Sequence, residues 1–134
     1  MSMDASQRMR IFSPTDASLA VLVVKDIAQN AGLGKLKVSA LTTAVSELTT
    51  NVIKYAVHGL MTVQVLHRQQ HKGIEVIVED RGPGIVDLNL AMQDHVSTGG
   101  TLGLGLPGTR RMVDEFEIQS TPGSGTRVRI VKWC

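Results

Sequence analysis

The chain has 134 residues, of which 43% are hydrophobic, and this length predicts one domain with a substantial core. A formal net charge of +2 and an aromatic content of 3% argue against nucleic acid or a membrane surface as a partner. The single cysteine, Cys134, excludes an internal disulfide and a cysteine-based zinc site. Because no signal-peptide pattern and no apolar run of about 18 residues is present, the expected location is the cytoplasm.

The first half of the chain predicts a strand, two helices and two more strands. Ser13 and Pro14 are typical of a helix start, with serine as the N-cap and proline at the first helical position. Apolar residues then recur at helical spacing until Gly32, which is a plausible helix end. The predicted elements are a strand over 8–12, helices over 14–31 and 35–56, and strands over 61–67 and 73–80 joined by a polar turn at 69–72.

The second half predicts an irregular stretch, a helix and a hairpin. Residues 84–105 are irregular, with a possible short helix at 88–93, and the next helix runs from Leu106 to about Val113. Alternating residues predict strands over 116–120 and 126–131 around a glycine-rich turn. This order of elements predicts an α/β (α+β) two-layer sandwich with helices on one face of the sheet. A doubly wound fold is excluded because strands and helices do not alternate throughout.

The second predicted helix has an apolar side and a polar side. The apolar stripe includes Tyr55 at its end, and the polar side carries Glu47 and Asn51, which are spaced i, i+4 and therefore share a face. An asparagine amide oxygen is a suitable ligand for Mg²⁺, and a nearby carboxylate can take a proton from an attacking nucleophile. The alternative is an ordinary exposed polar face.

The segment from Asp80 to Gly84 follows the strand predicted at 73–80. A carboxylate at the end of a sheet strand, followed by Gly82 and Gly84, places one acidic group at the rim of a tight loop. Glycines there allow the main chain to approach a flat ligand without interference from a Cβ atom. The alternative is a turn without a binding function.

A glycine-rich run, residues 99–108, leads into the helix that begins near Leu106. Free N–H groups and the positive end of a helix dipole favour phosphate binding at such a place. The run is neither a Walker A loop nor a Rossmann fingerprint, because the lysine of the first and the βαβ unit of the second are missing. The alternative is a flexible surface loop.

These three segments, in this order, resemble the Bergerat nucleotide-binding fold of the GHKL ATPases and kinases. The resemblance implies a mixed, mostly antiparallel sheet in a single domain over residues 1–134, with ATP and Mg²⁺ as cofactors. It implies Glu47 as the catalytic acid or base and Asn51 as the magnesium ligand, with Asp80 bound to the adenine amino group. The remaining cofactor-binding residues that it implies are Gly82, Gly84, Gly103, Gly105, Gly108 and Thr126. Thr101 departs from the phosphate loop of many members, which have glycine at this position.

Within that family the chain resembles the single-domain anti-sigma factors and serine kinases of bacterial partner-switching systems, and in particular the stressosome switch kinases. Residues 79–85, 104–108 and 114–118 and the closing Lys132-Trp133 carry this similarity. It implies a serine/threonine kinase that phosphorylates a STAS-domain antagonist and then activates a phosphatase. Small polar residues around Ser97 and Thr98 suit a lid over ATP. The alternatives are an anti-sigma factor, a simple ATP hydrolase and a nucleotide-binding adaptor without turnover.

Overall fold

A computed structural model describes residues 6–56, 58–93 and 105–134 of the chain. Within these ranges the helices are α1 (Pro14–Asn30), α2 (Lys35–Tyr55), α3 (Leu88–Ala91) and α4 (Leu106–Met112). The strands are β1 (Gln7–Ile11), β2 (Gly59–Arg68), β3 (His71–Asp80), β4 (Glu115–Thr121) and β5 (Gly125–Trp133). None of these helices combines the length and apolar character that crossing a bilayer requires.

The five described strands form one sheet in the order β1-β2-β3-β5-β4. Every pairing between them is antiparallel. The prediction of a mixed sheet was therefore wrong for the described part of the chain, because β3 and β4, which run in the same direction, are separated by β5 and do not pair. The predicted two-layer sandwich is confirmed.

One face of the sheet packs against α1 and α2. The register places Met61 opposite Val78 and Val78 opposite Val128, and all three side chains are buried. The helices contribute buried residues at three- and four-residue spacing, including Val24 and Leu41. Full burial of side chains of this size stabilises the fold by about 1.5–3 kcal/mol each. This core holds the carboxyl end of β3 beside the last turns of α2.

The start of α1 is fixed by a capping box that includes the predicted N-cap, Ser13. The Ser13 hydroxyl accepts a hydrogen bond from the Asp16 backbone N–H at 3.3 Å, and the Asp16 carboxylate accepts from the Ser13 N–H at 3.2 Å. Pro14 occupies the first helical position, where a missing N–H costs nothing. The predicted helix start is therefore confirmed.

Three local predictions differ from the structure. The turn between β2 and β3 is Gln69-Gln70 alone, with Gln69 at φ 58°, because the strands pair as far as Arg68 and His71. Helix α3 ends at Ala91, two residues before the predicted end. Tyr55 is 41% exposed, not part of the core, because the last turn of α2 borders a cavity at the end of the sheet.

Candidate functional site

A cavity of about 370 Å³ lies between the second half of α2, the end of β3 and the start of β5. Four of the residues predicted to bind a cofactor line it: Asn51, Asp80, Gly84 and Thr126. The other lining residues are largely apolar and include Leu48, Val52, Tyr55, Val78, Ile85, Leu90, Leu106 and Val128. An apolar cavity with a few convergent polar groups is the usual form of a small-molecule site.

Asp80 is the last residue of β3 and its carboxylate is held by two backbone donors. Its Oδ1 accepts from the Gly82 N–H at 2.8 Å and from the Thr126 N–H at 3.3 Å. Both of these hydrogen bonds from described residues go to Oδ1. Oδ2 is therefore able to accept a hydrogen bond from a ligand in the cavity. The side chain is half-buried, which strengthens such a bond relative to one in open water.

The two glycines after Asp80 are required by the packing of their own loop. A Cβ atom at Gly82 would come within 2.7 Å of the Ala56 Cβ, next to the end of α2. Gly84 has φ +75°, and a Cβ there would overlap the carbonyl oxygen of Thr121. Gly84 lines the cavity, whereas Gly82 faces the end of α2. The loop is therefore pressed against both α2 and the end of β4.

A serine that the sequence analysis did not single out lies beside Asp80 and Thr126. The strand register places Thr126 opposite both Asp80 and Ser120, so the three residues form a row across β3, β5 and β4. The Ser120 hydroxyl lies 2.8 Å from the Thr126 hydroxyl, accepts from the Ile85 N–H at 2.7 Å and lies 3.3 Å from the Gly125 carbonyl oxygen. Ser120 lies on the same face of β4 as Phe116 and Ile118, two apolar residues that pack on the core. A polar residue in line with them was the signal available in the sequence.

Glu47 and Asn51 lie one turn apart on α2, as the spacing predicts, but their surroundings differ. Asn51 is half-buried and lines the cavity, whereas Glu47 is exposed and lies outside the lining. The Glu47 carboxylate instead contacts Gly105, where an added Cβ would overlap Oε2 and come within 3.0 Å of Cδ. The carboxylate therefore lies where α2 meets the start of α4.

The glycine-rich run is described only from Gly105 onward. Gly105 has φ +66° and precedes α4, and its carbonyl oxygen accepts from both the N–H and the hydroxyl of Thr109 at 2.9 Å. Gly108 lies within α4 outside the cavity lining, and the nearest atom to an added Cβ is 3.9 Å away on Arg111. Gly103, together with Thr101 and the lid residues Ser97 and Thr98, lies outside the described residues.

Two exposed apolar residues mark the outer wall of the cavity. Val86 is 88% exposed and Leu90 is 37% exposed, and both line the cavity between the loop after Asp80 and α3. Apolar side chains that face solvent beside a cavity are typical of a surface that a ligand covers. This stretch lacks a clear periodicity, so the wall could not be identified from the sequence.

The residues 12–132 match the model of a known family, described as a histidine kinase-like ATPase domain. The chain is 38% identical over 125 residues to the serine/threonine-protein kinase RsbT of Bacillus subtilis (strain 168), covering 93% of this chain and 94% of that protein. It is also 37% identical over 103 residues to an anti-sigma F factor of Caldanaerobacter subterraneus, covering 72% of this chain and 71% of the relative. An anti-sigma F factor of Thermoanaerobacter sp. (strain X514) is 36% identical over 103 residues, which again cover 72% of this chain and 71% of the relative.

The family match spans α1 to β5 and includes every described residue around the cavity. The family predicted from the ordered segments at Glu47, Asp80 and Gly105 is confirmed, as is the similarity to both switch kinases and anti-sigma factors. The chain belongs to the histidine kinase-like ATPase domain family.

Proposed function

We propose that this protein is an ATP-dependent serine/threonine protein kinase that acts as a switch in a bacterial partner-switching pathway of the stressosome type. The observation that carries the proposal is the grouping of Asn51, Asp80 and Thr126 around one cavity in a chain of this family, with the carboxylate of Glu47 on α2 in contact with Gly105 before α4. The similarity to RsbT over 93% of the chain favours a kinase over the other activities of the family.

The cavity suits the adenosine part of ATP. Asp80 Oδ2 would accept a hydrogen bond from the adenine amino group, and Thr126 lies beside it on the next strand. The apolar lining would pack against the faces of the base, with Val78 and Leu106 among the buried residues. A volume of about 370 Å³ lies within the range of about 300–1,000 Å³ that is usual for ligand pockets.

Asn51 is suited to hold Mg²⁺ at the phosphates. Its amide oxygen is a hard neutral ligand, and the described residues contain no cluster of three or more His, Cys, Asp or Glu that could enclose a metal ion. A site with one protein oxygen as ligand fits Mg²⁺, which takes most of its other ligands from phosphate oxygens and water. When bound, the ion would neutralise charge on the phosphates.

Glu47 is proposed as the acid/base residue of phosphoryl transfer. Its exposed carboxylate would accept the proton of a serine or threonine hydroxyl on the protein substrate. The hydroxyl oxygen would then attack the terminal phosphorus as the bond from phosphorus to the ADP oxygen breaks, giving phosphoprotein and ADP. Backbone N–H groups between Gly103 and Gly108 are proposed to stabilise charge on the transferring group.

The proposed protein substrate is a STAS-domain antagonist, and the proposed later partner is a phosphatase, both in the cytoplasm. These partners are supported by the similarity of the chain to relatives named serine/threonine-protein kinase RsbT and anti-sigma F factor. An anti-sigma factor is the second candidate, because relatives named anti-sigma F factor are 36–37% identical over 72% of the chain. A simple ATP hydrolase would use Glu47 to activate water instead of a protein hydroxyl.

Intact-mass measurement separates these candidates. The protein is incubated with Mg-ATP and a candidate STAS-domain protein, and a gain of one phosphate on the STAS protein is expected. The gain should be lost in Glu47→Ala and Asn51→Ala and kept in Ser46→Ala, an exposed neighbour on α2. ATP consumption without transfer would indicate a hydrolase. Tight binding of a sigma factor without phosphate transfer would show that the protein functions as an anti-sigma factor and not as a kinase.

A further inference from the structure

We propose that a second cavity, on the face of the sheet that the helices leave uncovered, binds an acidic segment of a protein partner through Arg10 and Arg81. This cavity has a volume of about 630 Å³, and its lining includes these two arginines together with Phe12 and His58. None of the four lines the proposed nucleotide cavity. The inference rests on the proposed function only in taking the occupant to be a protein.

The strand register fixes which side of the sheet the second cavity occupies. Arg10, Leu60 and Glu79 form one row across β1, β2 and β3, and all three line the cavity. Ile11, the next residue after Arg10, is fully buried in the core, so the arginine lies on the opposite face. Asp80 borders both cavities at the end of β3. The two sites therefore lie back to back across the end of the sheet.

Elsewhere on this uncovered face the charged side chains are matched to one another. Arg129 lies 3.3 Å from Glu115 and 2.8 Å from Glu117, and it also forms an ion pair with Glu75. Arg68 lies 2.9 Å from Glu115. The guanidinium groups in this part of the face are therefore already occupied by carboxylates of the same chain.

The arginines of the second cavity are not matched in this way. Arg10 and Arg81 are exposed, and within residues 6–56, 58–93 and 105–134 neither side chain forms a hydrogen bond or an ion pair. The Glu79 carboxylate lies 3.8 Å from Arg127 instead, and Asp80 Oδ1 accepts from backbone N–H groups. A guanidinium can hold a carboxylate through two parallel N–H···O bonds. Two unmatched guanidinium groups in one cavity therefore suit an acidic ligand.

Phe12 and His58 favour a peptide segment over an isolated anion. Phe12 is 50% exposed, and its ring centroid lies 5.3 Å from that of His58. The Phe12 N–H donates to the Asp16 carboxylate at 2.9 Å, which fixes the residue at the start of α1. Exposed aromatic residues beside arginines are typical of protein interfaces. An apolar side chain between acidic residues would cover the Phe12 ring, whereas a phosphate ion would leave it in water.

The test is a titration of the nitrogen-15-labelled protein, without nucleotide, with a capped peptide of sequence Glu-Glu-Leu-Glu-Glu-Leu, followed by NMR. Saturable shifts are expected for the backbone amides of Gly59, Leu60 and Arg81, which line the cavity. Arg10→Gln and Arg81→Gln should each weaken binding about threefold to tenfold, because each removes a charged donor at an exposed site. Raising the salt concentration should also weaken binding.

The controls separate this site from general attraction to a charged protein. Lys25→Gln removes one positive charge at an exposed position of α1 and should leave the peptide affinity unchanged. Arg10→Lys keeps the charge without the paired donors and should bind more weakly than the wild type but more tightly than Arg10→Gln. The same peptide with glutamine in place of glutamate should not bind.

Several results would overturn the proposal. These are the absence of localised shifts at millimolar peptide, equal binding of the glutamine peptide, and equal weakening in Lys25→Gln. Shifts that centre on Asn51 and Val78 would overturn it too, because they would place the peptide in the nucleotide cavity. Inorganic phosphate that produces the same shifts at lower concentration than the peptide would replace the peptide as the ligand. Calorimetry with Mg-ATP tests the nucleotide site separately, and a protein that binds the peptide but not Mg-ATP would overturn the proposed function alone.

Discussion

Glu47 on α2 and Gly105 at the start of α4 are in direct contact, so that no side chain can be added at Gly105 without displacing the Glu47 carboxylate. The contact joins the proposed acid/base residue to a glycine of the glycine-rich run, 58 positions later in the sequence. The positive φ of Gly105 places the backbone close enough for it.

Gly105→Ala should therefore impair both activity and stability. The left-handed backbone costs a non-glycine residue about 1–2 kcal/mol, and the new methyl group would push Glu47 away from its present position. We expect phosphoryl transfer to fall at least about tenfold, since misplacing a catalytic group by about 1 Å costs more than that. Transfer is measured by intact mass and stability by urea unfolding. Gly108→Ala is the stability control, because that position is helical and has space, and it should be neutral or stabilising. Full activity in Gly105→Ala would contradict the assigned role of this contact.

Asp80→Asn should weaken ATP binding without disturbing the loop after β3. The asparagine oxygen can still accept from the Gly82 and Thr126 N–H groups, but its amino group would face the adenine amino group in place of a carboxylate oxygen. We expect a loss of about tenfold to a hundredfold in affinity, measured by calorimetry, because the lost bond involves a charge. Glu79→Gln, on the neighbouring position with its carboxylate 3.8 Å from Arg127, should leave the affinity unchanged. An unchanged affinity in Asp80→Asn would show that this carboxylate does not bind the base.

Glu115 should contribute a pH-dependent part of the stability. The Trp133 indole N–H donates to its carboxylate at 2.8 Å and Arg68 lies at 2.9 Å, and these contacts lower the pKa of Glu115 below its ordinary value of 4.5. A carboxyl group with a lower pKa in the folded state stabilises the fold above its unfolded pKa, and this contribution is lost as the pH falls through the folded pKa. The free energy of unfolding, measured in urea across this range, should therefore fall less steeply in acid for Glu115→Gln than for the wild type. Equal slopes for the two proteins would contradict the prediction.

Ser13→Ala should lower stability without affecting the site. The variant removes the acceptor for the Asp16 N–H at the start of α1, and the loss of such a cap costs about 1 kcal/mol. Thermal unfolding should shift to lower temperature, while ATP affinity should stay the same because α1 does not line the cavity. Ser18→Ala, at an exposed position within α1, is the control and should be neutral or slightly stabilising.

The site could be predicted from the sequence where a local pattern carries the information. The i, i+4 spacing placed Glu47 and Asn51 on one face of α2, and the end of a clear strand placed Asp80 at the sheet edge. Ser120 could not be predicted, because its neighbours follow from the register between β4 and β5 and from the folding of a loop 35 positions away. The exposure of Tyr55 has a similar origin, since periodicity does not say where a helix passes beyond the sheet it covers.

The contact between Gly82 and Ala56 has a consequence for the length of α2. It fixes the carboxyl end of the helix against the loop at the proposed adenine end of the cavity, while Glu47 lies eight positions earlier, at about 1.5 Å per residue or about 12 Å along the axis. The length of this helix segment therefore sets the distance between the proposed positions of the base and of the terminal phosphate. One residue inserted into α2 between Glu47 and the end of the helix would lengthen this distance by about 1.5 Å and rotate Glu47 by about 100° about the helix axis. Insertions in this segment should therefore impair the site, whereas an insertion in α1 should not.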